Sequence, residues 1–154
     1  MATFKDYLEN NSLLILHGAL GTEMEALGYD ISGKLRSAKY LLEKSEVIQE
    51  LHETYVAAGA DLITTSSYQA TLPGLVEAGL TEKAAEQIIA LTVRLAKAAR
   101  DKVWGALDET EKAKRPYPLI SGDVGPYAAY LANGSEYSGD YGQITIKELK
   151  DFHR

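Results

Sequence analysis

The central apolar run of this chain is Asp61-Leu62-Ile63-Thr64-Thr65, and it lies between two segments with helical periodicity. The run does not alternate polar and apolar residues, a pattern typical of a parallel strand that is covered on both faces. Two similar runs stand on either side of it along the chain, Leu13-Leu14-Ile15-Leu16 and Pro118-Leu119-Ile120-Ser121-Gly122. The three runs predict three buried parallel strands.

Helical patterns separate these strands. Ser45 is predicted to cap a helix that ends at Gly59, and a second helix is predicted to begin near Thr81. The second helix has a small-residue and apolar stripe made of Ala85, Ile88, Ile89, Thr92, Leu95, Ala96 and Ala99. A separate, more polar helical piece is predicted over residues 103–114, before Pro116.

A last helix is predicted to begin at Thr145, which forms the capping-box pattern Thr-x-x-Glu with Glu148. Alternation of strands and helices predicts right-handed βαβ units and an α/β fold. A doubly wound sheet and the first part of a (β/α)8 barrel both fit the pattern. A complete barrel needs about 250 residues, and because this chain has 154, we expect the fold to be incomplete within it.

Composition excludes several classes of protein. The chain is 45% hydrophobic and 25% charged, with a net charge of −6 and no basic run longer than two residues, so a nucleic-acid surface is not expected. No apolar run approaches the roughly 20 residues of a membrane span, and the first residues carry no apolar leader. The absence of cysteine excludes disulfides and thiolate metal ligands within the chain. We expect a cytoplasmic protein.

Ligands of α/β folds bind at the carboxyl ends of the strands, and three segments lie there: residues 17–23, 64–70 and 122–141. The third is the most informative, because five of the ten tyrosines lie between Tyr117 and Tyr141 among several glycines. Tyrosine has an apolar face and a polar tip, which suits the rim of a wet pocket. A long strand-end loop of this composition predicts a ligand site.

The other two segments leave alternatives open. Residues 17–23 lack the glycine density and lysine of a phosphate loop, and a tight turn into a helix capped by Thr22 fits them equally well. Of the three histidines, His52 is predicted to be structural within its helix and His153 lies near the chain end. Only His17 stands at a strand end, where a titrating side chain would matter. The spacing of the histidines predicts no metal site.

Three blocks resemble the homocysteine S-methyltransferase family, in family order. They are Leu16-His-Gly-Ala-Leu-Gly-Thr-Glu23, Ala58-Gly-Ala-Asp-Leu-Ile-Thr-Thr-Ser-Ser-Tyr-Gln-Ala70 and Ser121-Gly-Asp-Val-Gly-Pro-Tyr127. Ala132-Asn-Gly-Ser-Glu-Tyr137 and Asp151-Phe-His-Arg154 extend the match. The most similar branch is that of the bacterial and plant enzymes that use S-methylmethionine as methyl donor.

The resemblance implies that residues 1–154 are the N-terminal part of a single homocysteine-binding barrel domain. They would supply its first three βα units and the start of the helix after the third strand. The implied reaction transfers a methyl group from S-methylmethionine, or a related sulfonium, to homocysteine and gives methionine. In the family, three cysteines from later strands hold a zinc ion that binds the homocysteine sulfur, and their positions would lie beyond Arg154. No metal ligand and no catalytic residue is therefore expected within this chain.

Matching the blocks residue by residue implies that His17, Thr65 and Asp123 contact the substrate. Loop support is implied for four further residues, Glu23, Ser66, Tyr68 and Tyr127. The family usually carries an Asp, implicated in holding the homocysteine amino group, at the position of His17, and a Trp at the position of Arg36. Both departures are expected to weaken binding, since an imidazole is a poor partner for an ammonium and a guanidinium repels a sulfonium.

Two other hypotheses compete with the enzyme. The chain could be a degenerate or truncated non-catalytic fragment that self-associates through an unpaired strand edge. Alternatively, it could be a module that binds a small molecule through the Tyr-rich loop without catalysis. The first hypothesis predicts association in solution, and the second predicts binding without turnover.

Overall fold

The structure, a computed structural model, describes residues 4–10 and 13–153. Two parallel strands form its sheet, β1 (Leu62–Thr64) and β2 (Leu119–Ser121). A 3₁₀ turn spans Arg36–Lys39. The helices are α1 (Phe4–Asn10), α2 (Leu20–Ala26), α3 (Tyr40–Glu43), α4 (Ser45–Ala57), α5 (Leu72–Glu77), α6 (Glu82–Ala106), α7 (Glu109–Lys112), α8 (Tyr127–Leu131), α9 (Ser135–Ser138) and α10 (Ile146–Phe152).

The sheet confirms two of the three predicted strands. β1 and β2 pair in register, with Leu62 opposite Leu119 and Thr64 opposite Ser121. The prediction of a strand over Leu13–Leu16 is wrong in extent, because only Leu16 bridges to Leu62. This segment still runs parallel to β1, since Asp61 and Leu62 both donate backbone hydrogen bonds to the Ile15 carbonyl, at 2.8 and 3.1 Å.

The prediction that all three strands are fully buried is also wrong. Only Ile63 is completely buried in β1, and every residue of β2 is half-buried. In the first segment Leu13 and Leu16 are 68% and 57% exposed. The reason is that the described helices cover this sheet incompletely, so that apolar strand residues remain at the surface.

Helix α4 packs against α6 and builds most of the core. Their apolar faces enclose Ile48, Val56 and Ala96, all fully buried. Gly59 ends α4 as predicted, with a φ of +104° that favours glycine. The predicted cap is wrong by one residue: the N-cap is Lys44, and Ser45 is the first helical residue, without a side-chain capping bond.

Helix α6 begins as predicted, because the Thr81 hydroxyl accepts a hydrogen bond from the amide of Ala84 at 3.3 Å. Its C-terminal end differs from the prediction of a separate helix over residues 103–114. α6 continues to Ala106, and only the short α7 follows, started by a capping box on Asp108. Among the helices of the described residues, none is both long enough and apolar enough to cross a bilayer.

The segment after β2 is not an open loop. It contains α8 and α9, and the predicted capping box of Thr145 and Glu148 begins α10. Tyr127 and Tyr130 pack on Phe152 of α10, with ring centroids 5.1 and 5.3 Å from it. These aromatic contacts hold the segment after β2 against the last helix.

Gly125 brings this segment close to the loop after β1. A side chain there would overlap the carbonyl oxygen of Tyr68, and Gly125 is buried. The two strand-end loops can approach each other only because this residue has no Cβ.

We expect Gly125→Ala to lower the free energy of unfolding by about 1–3 kcal/mol, since the added methyl meets backbone that cannot rotate away. Urea denaturation would measure the loss. Gly122→Ala is the matched control in the same loop, because a Cβ at Gly122 has open space around it. Equal stabilities of the two variants would contradict the close approach.

Candidate functional site

A cleft of about 650 Å³ lies where the strands end. Its floor and walls come from residues 16–22, from Thr64–Gln69 without Ser67, and from Asp123. The 3₁₀ turn adds Arg36 and Ser37, and α4 adds His52. Three separate strand-end segments therefore share one cavity, the arrangement that α/β folds use for ligands.

The hydroxyl of Thr65 ties two of these segments together. It accepts a hydrogen bond from the Asp123 amide at 3.0 Å and shares another with the Ser67 hydroxyl at 2.7 Å. Ser67 in turn donates to the Asp123 carbonyl at 2.6 Å. Because Thr65 is only 3% exposed, these bonds are shielded from water. They fix the backbone of Asp123 beside the strand end.

His17 is anchored beside β1 by contacts of its own. Its Nε2 lies 2.5 Å from the Thr64 hydroxyl, and its backbone amide donates to Leu62 at 3.0 Å. The ring packs on Tyr55, with centroids 5.3 Å apart. Burial lowers the pKa of His17, whereas the Gly18 backbone and the Asp123 carboxylate act in the opposite direction. The net effect lowers the pKa of His17 and favours its neutral form.

His52 is the most unusual side chain of the cleft. It is completely buried, and neither ring nitrogen has a hydrogen-bond partner among the described residues. Burial, and secondarily the neighbouring His17, lowers the pKa of His52 to about 4. A buried polar group without a partner normally costs stability, so its retention calls for an explanation.

Acidic side chains outnumber basic ones in the cleft. Glu25, Asp123 and Glu136 line it with a single guanidinium, Arg36. Burial raises the pKa of Asp123, while His17 lowers it. Arg36 itself has a φ of +44°, a strained conformation for a residue with a side chain. The net negative lining favours a ligand with a positively charged group.

The structure brings together most of the residues that the sequence selected. His17, Thr65 and Asp123 all line the cleft, as do Ser66 and Tyr68. Two residues lie elsewhere: Glu23 is on α2 outside the lining, and Tyr127 packs on Phe152. Thr22 does not cap the helix, which begins at Leu20 after the N-cap Ala19.

Sequence reasoning missed several lining residues. His52 is the clearest, because its place beside Ile48 and Leu51 on the apolar stripe of α4 indicated burial. Glu25 gave no signal, since it is one charged residue among many in the sequence, and Glu136 was covered only as part of the selected segment 122–141.

The residues present do not fit a zinc ion. Among residues 4–10 and 13–153, no group of three His, Asp or Glu side chains is placed to hold a metal, and the chain has no cysteine.

The buried His52 predicts a pH dependence of stability. Its pKa is about 4 in the folded state and lies near 6.5 unfolded, so between these values the unfolded chain binds more protons. Its contribution is complete above about pH 6.5 and is lost as the pH falls towards 4. We expect His52→Leu to flatten this slope by up to about 1.4 kcal/mol per pH unit, measured by urea denaturation across that range. Parallel curves for variant and wild type would contradict this assignment.

Comparison with known proteins gives a consistent result. The family model of homocysteine S-methyltransferase matches residues 14–154. Homocysteine S-methyltransferase YbgG of Bacillus subtilis (strain 168) is 44% identical over 154 residues, which are 100% of this chain and 48% of that protein. Homocysteine S-methyltransferase 1 of Zea mays is 44% identical over 141 residues, 91% of this chain and 44% of that protein.

Solved structures that resemble this chain come from the same family as these relatives. The metallated form of the homocysteine methyltransferase MmuM from Escherichia coli matches with a TM-score of 0.78 and 42% identity, over 96% of this chain and 49% of that one. The chain thus spans about half the length of the relatives it matches, and its parallel strands and helices are consistent with part of a TIM barrel. With the family model, the relatives and the fold in agreement, this chain belongs to the homocysteine S-methyltransferase family.

Proposed function

We propose that the protein carrying this chain is a methyltransferase that moves a methyl group from a sulfonium donor, S-methylmethionine, to homocysteine. The observation that carries the proposal is the cleft at the strand ends, because all three of its strand-end segments belong to blocks that resemble the family. We further propose that the protein acts in the cytoplasm.

The chain would contribute the first three βα units of an eight-stranded barrel. In support, the segment ending at Leu16, β1 and β2 lie side by side in chain order, and helices follow each of them. Parallel neighbours connected by helices are what a barrel requires.

The chemistry is a displacement at carbon. The homocysteine sulfur, once it has lost its proton, attacks the methyl carbon of the sulfonium. A new carbon–sulfur bond forms as the old one breaks, its electron pair stays with the donor sulfur, and two molecules of methionine result. Since the donor carries a good leaving group, alignment of the two substrates supplies most of what the protein must add.

In this proposal His17, Thr65 and Asp123 contact the amino-acid substrate. Thr65 sets the position of Asp123 through the hydrogen bonds described above. Ser66 and Tyr68 shape the wall of the cleft, and the net negative lining suits both an ammonium and a sulfonium. Glu23 and Tyr127 support the surrounding loops from outside the cleft.

We expect the intact protein, supplied with zinc, to form methionine from homocysteine and S-methylmethionine, because the family fold and the acidic cleft suit these substrates. Methionine would be measured by mass spectrometry, with homocysteine alone as the control. Binding of both substrates without methionine formation would favour a non-catalytic binding module. Activity with S-adenosylmethionine but not S-methylmethionine would contradict the proposed donor.

Removing the charge of Asp123 is expected to weaken substrate binding. Asp123→Asn should raise the KM for homocysteine about tenfold and change kcat less, since a neutral amide attracts an ammonium less than a carboxylate does. Asp140→Asn is the control, because Asp140 is an exposed carboxylate in the same segment and does not line the cleft. An unchanged KM in Asp123→Asn would remove this residue from the substrate contacts.

A further inference from the structure

Arg36 carries the only permanent positive charge among the described residues that line the cleft. Glu25, Asp123 and Glu136 line the same cleft. Even so, the Arg36 side chain forms no ion pair and no hydrogen bond within the described part of the chain. The residue is half-buried. Since a guanidinium has five N–H donors, its capacity for hydrogen bonding is left to a ligand.

The backbone holds Arg36 in a strained position. Its φ of +44° lies in the left-handed region, which residues with a side chain rarely adopt. The chain is anchored on both sides of it, because Leu35 packs against the core, Ala38 is buried there, and Lys34 is paired with Glu77 of α5. Strain of this kind persists only where the surrounding structure enforces it, and such residues cluster at binding sites.

Arg36 is accessible to a ligand in the cleft. It lines the cleft and also borders a second, smaller cavity of about 400 Å³, which it shares with Ile31, Leu131 and Ala132. A residue that borders two cavities is not enclosed by packed side chains, so a ligand can reach it without displacing the core.

Charge indicates which group of a ligand Arg36 suits. Each substrate of the proposed reaction is an α-amino acid, with an ammonium and a carboxylate on the same carbon. The acidic lining attracts the ammonium but repels the carboxylate. Burial favours the neutral forms of His17 and His52, so neither imidazole supplies a permanent positive charge. The planar guanidinium of Arg36 does, and it can donate two parallel hydrogen bonds to a carboxylate.

We propose that Arg36 binds the α-carboxylate of an amino-acid substrate in the cleft and so selects free α-amino acids over analogues that lack this group. The inference rests on the proposed function for the identity of the substrates, homocysteine and S-methylmethionine, which both carry the carboxylate. The resemblance implied that a guanidinium at this position weakens binding by repelling a sulfonium. Through the carboxylate, it instead contributes to binding.

Substitutions at Arg36 test this contact. Arg36→Met removes the charge and keeps a long side chain on the same backbone. The KM of the substrate whose carboxylate is bound should rise about tenfold or more, because charged hydrogen bonds are lost. Affinity for the carboxamide of that substrate should not change, since an amide has no negative charge. Arg36→Lys keeps the charge without the planar fork and should restore part of the loss.

The experiment uses the intact protein, supplied with zinc. It combines rates of methionine formation with calorimetric titration of homocysteine, S-methylmethionine and the carboxamide of each. Arg94→Met is the matched control, because Arg94 is an exposed arginine of α6 that does not line the cleft. A loss for one substrate without a loss for its carboxamide supports the inference and identifies which carboxylate is bound.

Two results would overturn the inference and leave the proposed function standing. The first is methionine formation with unchanged KM values for both substrates in Arg36→Met. The second is an equal loss for a substrate and its carboxamide, because the carboxylate would then not be the group that is bound. A wild-type protein that binds the substrates but forms no methionine refutes the proposed function, and the titrations still decide the inference. Binding of neither substrate by the wild type refutes both.

Discussion

The buried hydroxyl of Thr65 is the interaction on which the site depends. β1 and β2 are each only three residues long, so their pairing alone leaves the following loops free to separate. The hydroxyl joins those loops by bonding to Ser67 and to the amide of Asp123. Gly125 allows the two loops to come this close, because a Cβ at that position would overlap the backbone of Tyr68. The Thr65 hydroxyl and the absence of a side chain at Gly125 thus place Asp123 in the cleft that His17 also lines.

Local signals predicted several helix boundaries correctly, although they placed the N-cap of α4 one residue late, at Ser45. Thr81 and Thr145 cap their helices, and Gly59 ends α4, since each of these interactions is made within a few residues. The strand over Leu13–Leu16 was overestimated because strand formation depends on pairing with residues far along the chain, and only Leu16 finds such a pair. Apolar composition alone cannot reveal this difference.

The residues of the site also fall into those that the sequence could predict and those that depend on long-range packing. The rule that ligands bind at the carboxyl ends of strands selected the three segments that hold His17, Thr65 and Asp123, and the family resemblance singled out these residues within them. The structure brings all three to one cleft. His52 could not be selected in that way, because it lies in the middle of a helix and reaches the cleft only through the packing of α4. A stripe of apolar residues predicts burial of one face, but not which buried side chain borders a cavity.

The state of the two imidazoles changes the expected effect of His17. A charged imidazole at this position would repel an ammonium, and the resemblance implied weaker binding for that reason. Burial favours the neutral form of both His17 and His52, which reduces this repulsion. In the proposed function, the positive charge of the substrate would be balanced by carboxylates that line the cleft, such as Asp123. Recognition of a positively charged substrate would therefore depend on the carboxylates of the cleft rather than on either imidazole.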